Sequence, residues 1–176
     1  MKINTPVTRN EQHFSDTTEI ISATNLKGII ESANEDFMSI SGFQTDEIIG
    51  RNHNTVRHPD MPAEAFADLW SHIKANKPWM GLVKNRCKNG DNYWVDAYVS
   101  PMYIDGRVTG YQSVRAKPKR EWVDRAANTY GKIMSGKSEE DKRRSKIDDV
   151  NLGRFQFGIT AKTSIAVNSI IIPMLA

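Results

Sequence analysis

The residues best suited to chemistry lie between Gly50 and Val95. One block, Gly50 to Pro62, gathers Arg51, Asn52, His53, Asn54, Arg57, His58 and Asp60 into a single short stretch. A second, Pro78 to Val95, carries Trp79, Asn85, Tyr93 and Trp94 among Lys84, Arg86 and Lys88. Between them Phe66, Leu69, Trp70 and Ile73 recur at i, i+3, i+4 and i+7, the spacing of a helix with one apolar face. A loop rich in cations and histidines, then such a helix, then an aromatic hairpin, suits a flat, anionic cofactor. That is the equipment of sensing rather than turnover. The sequence shows no Ser-His-Asp spacing, no phosphate-cradling glycine loop and no metal-ligand spacing, so the chain does not read as an enzyme.

These blocks need elements to position them. Residues 1–16 are polar and aperiodic, which predicts a flexible arm. Thr18–Ala23 and Gly28–Ser32 read as two short strands turned at Asn25-Leu26-Lys27-Gly28. Asn34 stands before a short helix, Glu35 to Ile40, that stops at Gly42. Thr45 is placed to cap a second, Asp46 to Ile49, with Gly50 closing it. Residues 51–62 are too rich in Asn, His and Pro to be regular, and Pro62 then opens the amphipathic helix as its first residue, with Asn76 at its end. Three long strands follow: Gly81–Lys88, Tyr93–Tyr103 and Val108–Arg115, joined at Asn89-Gly90 and Asp105-Gly106. Two strands, short helices, then three antiparallel strands make an α+β domain with a five-stranded sheet and helices on one face.

The chain of 176 residues has room for one such domain of about 100–150 residues and an extension. Its net charge of +3 excludes little, but Arg115, Lys117, Lys119 and Arg120 cluster, as do Lys142, Arg143, Arg144 and Lys146. Neither cluster is interleaved with aromatics, which argues against nucleic acid. Both read as solvated linker charge, with an anionic membrane surface as the alternative. The lone cysteine, Cys87, rules out an internal disulfide and fits a reducing cytoplasm. Glu121–Met134 carries Val123, Ala126, Ala127, Tyr130 and Met134 on one helical face, and Gly136 to Asp149 is a charged linker. From Thr163 to Ala176 no charge occurs, and this reads as the start of a membrane segment cut by the end of the chain. The resulting plan is an arm over 1–16, a sensor domain over 17–118, a linker over 119–162 and a membrane segment from 163.

Asn34-x-x-Phe37, Gly42-Phe43, Glu47-Ile48-Ile49-Gly50-Arg51 and the Lys88-Asn89-Gly90 turn together resemble the PAS superfamily. Three longer blocks are similar to the FAD-binding PAS domains of bacterial aerotaxis receptors. They are His53 to Pro62, Pro78 to Arg86 and Lys88 to Val95. That resemblance implies a PAS fold with a five-stranded antiparallel sheet, and non-covalent FAD as cofactor. It also implies Arg57, His58 and Asp60 as FAD-binding residues. An Arg at 57 can clamp a pyrophosphate bidentately, His58 can add an N–H, and Asp60 can orient Arg57 or accept from a ribose hydroxyl. Asn85 offers a donor and an acceptor together, as the pyrimidine edge of a flavin requires, and Gln112 is a second candidate amide. Trp70, Trp79, Tyr93 and Trp94 are candidate walls, though Tyr93 and Trp94 cannot both face the pocket. Asn34 and His53 complete the candidate set. His53 stands where flavin photoreceptors carry the reactive cysteine of Gly-Arg-Asn-Cys, so redox change rather than a light-driven adduct is the expected stimulus.

The resemblance further implies a homodimer, with HAMP and signalling modules in the same receptor, a chemotaxis histidine kinase and its coupling protein as partners. It places the sensor at the cytoplasmic face of the bacterial inner membrane. A haem-binding PAS domain using His53, His58 or His72, and a cofactor-free interaction module, remain as alternatives.

Overall fold

The structure, a computed structural model of the chain, describes residues 4–136. The linker beyond Gly136 and the apolar run from Thr163 lie outside the described residues. Five strands alternate inward and outward side chains and pair antiparallel throughout: β1 (Ile20–Asn25), β2 (Ile30–Ala33), β3 (Trp79–Arg86), β4 (Asn92–Ile104) and β5 (Arg107–Ala116). Their order across the sheet is β2-β1-β5-β4-β3, so the two hairpins, distant in sequence, meet where β1 pairs with β5. Gly110 permits that junction. A Cβ there would lie 2.1 Å from the Thr24 carbonyl oxygen, closer than any side chain can stand.

One face of the sheet carries the short helices α1 (Glu35–Ser41) and α2 (Thr45–Ile48), one 3-10 turn over His53–Val56, and α3 (Ala63–Lys74). Phe37, Ile48, Val56, Met61 and Ile73 are sunk against Ile20, Ile30, Tyr93 and Val95 to make the core. The stretch from Gly50 to Met61 crosses that face from one sheet edge to the other. At the β2 edge Ile30 N–H donates to Arg51 O at 2.9 Å; at the β3 edge Arg57 pairs with Asn85 as an isolated antiparallel bridge. Irregular backbone thus pairs with part of each edge, which would otherwise offer an unpaired ladder.

The opposite face is covered by α4 (Arg120–Met134), through Val123, Ala126 and Tyr130. Tyr130 stacks on Trp94, with ring centroids 6.2 Å apart, and its hydroxyl donates to Leu82 O at 2.9 Å. Among the described residues no helix is long and apolar enough to cross a membrane.

Several boundaries differ from the sequence reading. The amphipathic helix begins at Ala63, with Pro62 as its extended cap, and α2 begins at Thr45, with Gln44 before it. β3 starts at Trp79 because its pairing with Val99 extends the ladder past the glycine. The N-terminal arm differs more. Its polar residues are docked on the β3–β4 hairpin: Thr8 N–H donates to Gly90 O at 2.8 Å, and Gln12 N–H to Asn92 O at 2.7 Å. Gln12 Nε2 and Thr8 Oγ1 both donate to Asp91, whose carboxyl is held below its usual range by these bonds, Thr8 first and then Gln12. A side chain at 90 would put its Cβ 2.9 Å from Pro6 O, so the glycine is what lets the arm lie flat.

Candidate functional site

Strand parity builds the site. Ser22 and Thr24 of β1, Tyr111, Ser113 and Arg115 of β5, Ala97 and Val99 of β4, and Trp79, Val83 and Asn85 of β3 all turn to the same face. Helix α3 sets Phe66, Leu69, Trp70 and Ile73 opposite them, and His53, Asn54 and Arg57 close one side. They enclose a cavity of about 350 Å³, within the range of small-molecule and cofactor pockets. Its walls are aromatic and aliphatic. Trp70 meets Tyr111 edge-on at 5.8 Å, and the Trp79 indole N–H is fixed by Asp68 Oδ2 at 2.6 Å.

The polar groups concentrate at Arg115, a side chain only 4% exposed. Its Nη2 donates to His53 Nε2 at 2.7 Å and to Ser22 Oγ at 3.1 Å. An arginine only donates, so His53 Nε2 accepts and the ring proton sits on Nδ1. Burial first, then the Arg115 charge, pushes His53 down to about 3, so the ring is neutral at physiological pH. Arg115 itself is pushed down to about 10 by burial and stays protonated at neutral pH. Among the described residues no carboxylate lies within ion-pairing distance of it. Its Nη1 and the neighbouring Ser113 Oγ are buried with no hydrogen-bond partner among the described residues. Buried donors of this kind are costly unless something accepts from them. Among the described residues that positive charge has no counter-ion and meets only the Phe37 ring, 5.8 Å away, so the cavity offers a cation and two free donors, the complement of an electron-rich or anionic group.

Five of the eleven candidate residues line this cavity: His53, Arg57, Trp70, Trp79 and Asn85. Arg57 lies 4.2 Å over the Phe66 ring and donates to Met61 O at 2.7 Å. The others are placed elsewhere. Gln112 lies between Tyr111 and Ser113 on β5, so alternation turns it to the other face. Tyr93 shares the cavity's face but is sealed in the core beyond Asn85, its cross-strand partner. Trp94 lies under α4. Asn34 spends its amide on structure, accepting from Phe37 and Ile21 N–H groups at 3.1 and 3.0 Å and donating to Glu19 O at 2.7 Å. His58 is buried outside the cavity, accepting from Asp60 N–H at 3.1 Å, while exposed Asp60 pairs with Lys84 at 2.7 Å.

The residue that sequence reasoning misses is Arg115, which reads in the sequence as part of a charged linker cluster. The signal was available: Tyr111, Ser113 and Arg115 alternate on one strand face, and a cation in phase with an aromatic points inward.

Comparisons with known proteins bear on the fold. Residues 30–115 match the PAS-fold family. The aerotaxis receptor of Escherichia coli strain K12 is 41% identical over 134 residues, 76% of this chain and 26% of that protein. The chain therefore spans only 26% of the receptor's length. The PAS domain of a protein from Colwellia psychrerythraea superposes with a TM-score of 0.53 at 20% identity, over 58% of this chain and 89% of that one. The light-state structure of the blue-light photoreceptor Aureochrome1 LOV gives 0.56 at 19% identity, over 65% and 91%. At such identities these two establish the fold alone.

Proposed function

Residues 30–115 belong to the PAS-fold family, and from that premise we propose that the chain is the redox-sensing part of an aerotaxis-type receptor, holding FAD non-covalently in its cavity. One observation carries the reading: an aromatic-walled cavity whose polar end is a buried arginine without a carboxylate, beside unpaired Nη1 and Ser113 Oγ donors. A flavin ring is flat and apolar on its faces and electron-rich along its pyrimidine edge, so the residues present fit it. When bound, a flavin supplies reversible electron uptake. The protein's part is to hold it: Asn85 offers a two-sided amide, Arg115 and Ser113 offer donors, and neutral His53 accepts from Arg115 and keeps its guanidinium in place. Arg57, a cation lining the same cavity, is the residue proposed to meet the diphosphate.

Output falls on β3 and β4. Asn85 lies on the strand whose Leu82 carbonyl receives the Tyr130 hydroxyl, so a change at the ring is carried to α4. The resemblance to the aerotaxis receptor supports the rest of the assembly: a homodimer, HAMP and signalling modules, a chemotaxis histidine kinase with its coupling protein, and a sensor held at the cytoplasmic side of the inner membrane. Haem fits less well. His53 Nε2 is engaged by Arg115, His58 lies outside the cavity, and His72 faces Asp68 on its own helix.

An absorption spectrum of the purified protein tests the reading, with mass analysis of any released cofactor. Flavin bands and released FAD are expected. A haem Soret band, or protein that is colourless and takes up no added FAD, overturns it.

A further inference from the structure

Among the described residues of the N-terminal arm, Asn4 is the one that reaches the turn beside the cavity. Asn4 is 8% exposed although it lies in a polar, aperiodic stretch. Its Nδ2 donates to two backbone carbonyls, Asn54 O at 2.7 Å and Arg57 O at 3.0 Å. Those carbonyls belong to the 3-10 turn and its C-cap, the segment that presents His53, Asn54 and Arg57 to the cavity. A 3-10 turn holds itself weakly, and here one amide spans it. The arm is anchored in turn. Arg86 Nε donates to Pro6 O at 2.7 Å and its Nη2 to Thr5 O at 3.0 Å, so Asn4 is held at a set distance from β3, which carries Asn85. Asn4 itself does not line the cavity.

We infer that Asn4 is a positioning residue for the cofactor site, clasping the His53–Arg57 turn closed over the cavity, so that it sets how slowly a bound flavin leaves. This rests on the flavin reading above. Because both of its bonds go to backbone, what Asn4 supplies is a pair of donors in a given place. Asn4→Asp keeps the shape and replaces those donors with oxygens facing carbonyls; Asn4→Ala removes shape and donors together.

The test uses the full chain, purified with its flavin. Wild type and both variants are diluted rapidly, and released flavin is separated by filtration over time. Loss of two hydrogen bonds of ordinary strength should speed release roughly tenfold in both variants. The melting temperature of each flavin-free protein should stay close to that of flavin-free wild type, because a short 3-10 turn opens locally below the free energy of global unfolding and bonds across it contribute little to the melt. Asn4→Asp protein that releases flavin as slowly as wild type overturns the inference. So does a flavin-free melting temperature that falls in step with the release rate, since Asn4 would then be a general fold contact. Wild-type protein that neither carries nor takes up flavin refutes the cofactor reading itself, and this inference with it, before any variant is compared.

Discussion

Arg115 is where the energetics of single residues are sharpest. A buried cation without a counter-ion destabilises the empty protein, whereas an acceptor placed against it gains a charge-assisted bond. Arg115→Met should therefore act in opposite directions. Flavin-free protein should melt at a higher temperature, while the flavin dissociation constant rises roughly ten- to hundredfold, for the loss of about 1.5–3 kcal/mol. Calorimetry of the empty protein and a flavin titration check the two halves, and a variant that binds as tightly as wild type removes Arg115 from the site. Arg57 and Asp60 separate in the same titration. Arg57→Ala should weaken binding by about 2 kcal/mol or more, and Asp60→Asn should leave it unchanged, because exposed Asp60 faces Lys84 rather than the cavity.

The histidines give a pH dependence of definite sign. His53 is lowered to about 3 and His58 to about 4, each from an ordinary 6.5 and each first by burial. The unfolded chain thus binds protons that the folded one refuses, and stability falls as pH drops below about 6.5, by up to about 1.4 kcal/mol per pH unit per group. Asp96, raised to about 6 by burial, opposes this over the upper part of the window, since its folded form takes a proton early. Thermal melts between pH 7 and pH 4.5 should show a shallower acid loss in His53→Asn than in wild type. Parallel curves would mean that His53 is not held neutral.

At the scale of elements, two contacts decide whether the site is assembled. The β1–β5 junction brings Ser22 and Thr24 beside Ser113 and Tyr111. Gly110→Ala would drive a Cβ into the Thr24 carbonyl, so it should destabilise by about 1–3 kcal/mol or more in urea unfolding, and weaken flavin binding as well. An unchanged midpoint would show that the strands can part at no cost. Helix α4 is held to the sheet by the Trp94–Tyr130 stack and the Tyr130 hydroxyl. Tyr130→Phe should cost about 1 kcal/mol in the same melt and leave flavin affinity unaltered, since neither ring lines the cavity.

For the whole molecule, binding and folding are linked. A ligand at a hundred times its dissociation constant adds about 2.7 kcal/mol, which in a chain of this size raises the melting temperature by roughly 5–10 °C. Flavin-free protein titrated with FAD should melt progressively higher, and the Arg57→Ala variant should need more FAD for the same rise. A melting temperature indifferent to FAD would contradict the cofactor reading at its broadest.

The local features were legible in the chain itself. Asn34 before Glu35, the i, i+3, i+4, i+7 spacing from Phe66 to Ile73, and the Asn89-Gly90 and Asp105-Gly106 turns set elements through short-range chemistry that no distant contact overrides. Trp70, Trp79 and Asn85 were candidates by residue type, and His53 and Arg57 through the family resemblance of a loop that has no periodicity to orient its side chains. What tertiary structure alone decided was which neighbours they meet. Gln112 is turned from the cavity by alternation along β5, and the helices packed on one side of the sheet decided which β5 face meets the cavity. His58 was turned out of it because the 57–61 backbone runs along the edge of β3. Arg115 became the polar centre because the strand order brings β5 beneath a loop some sixty residues earlier. Asn4, in a stretch with no periodicity at all, gained a role only through carbonyls some fifty residues away. Side-chain type and period are local quantities, whereas partners are fixed by the closing of the sheet.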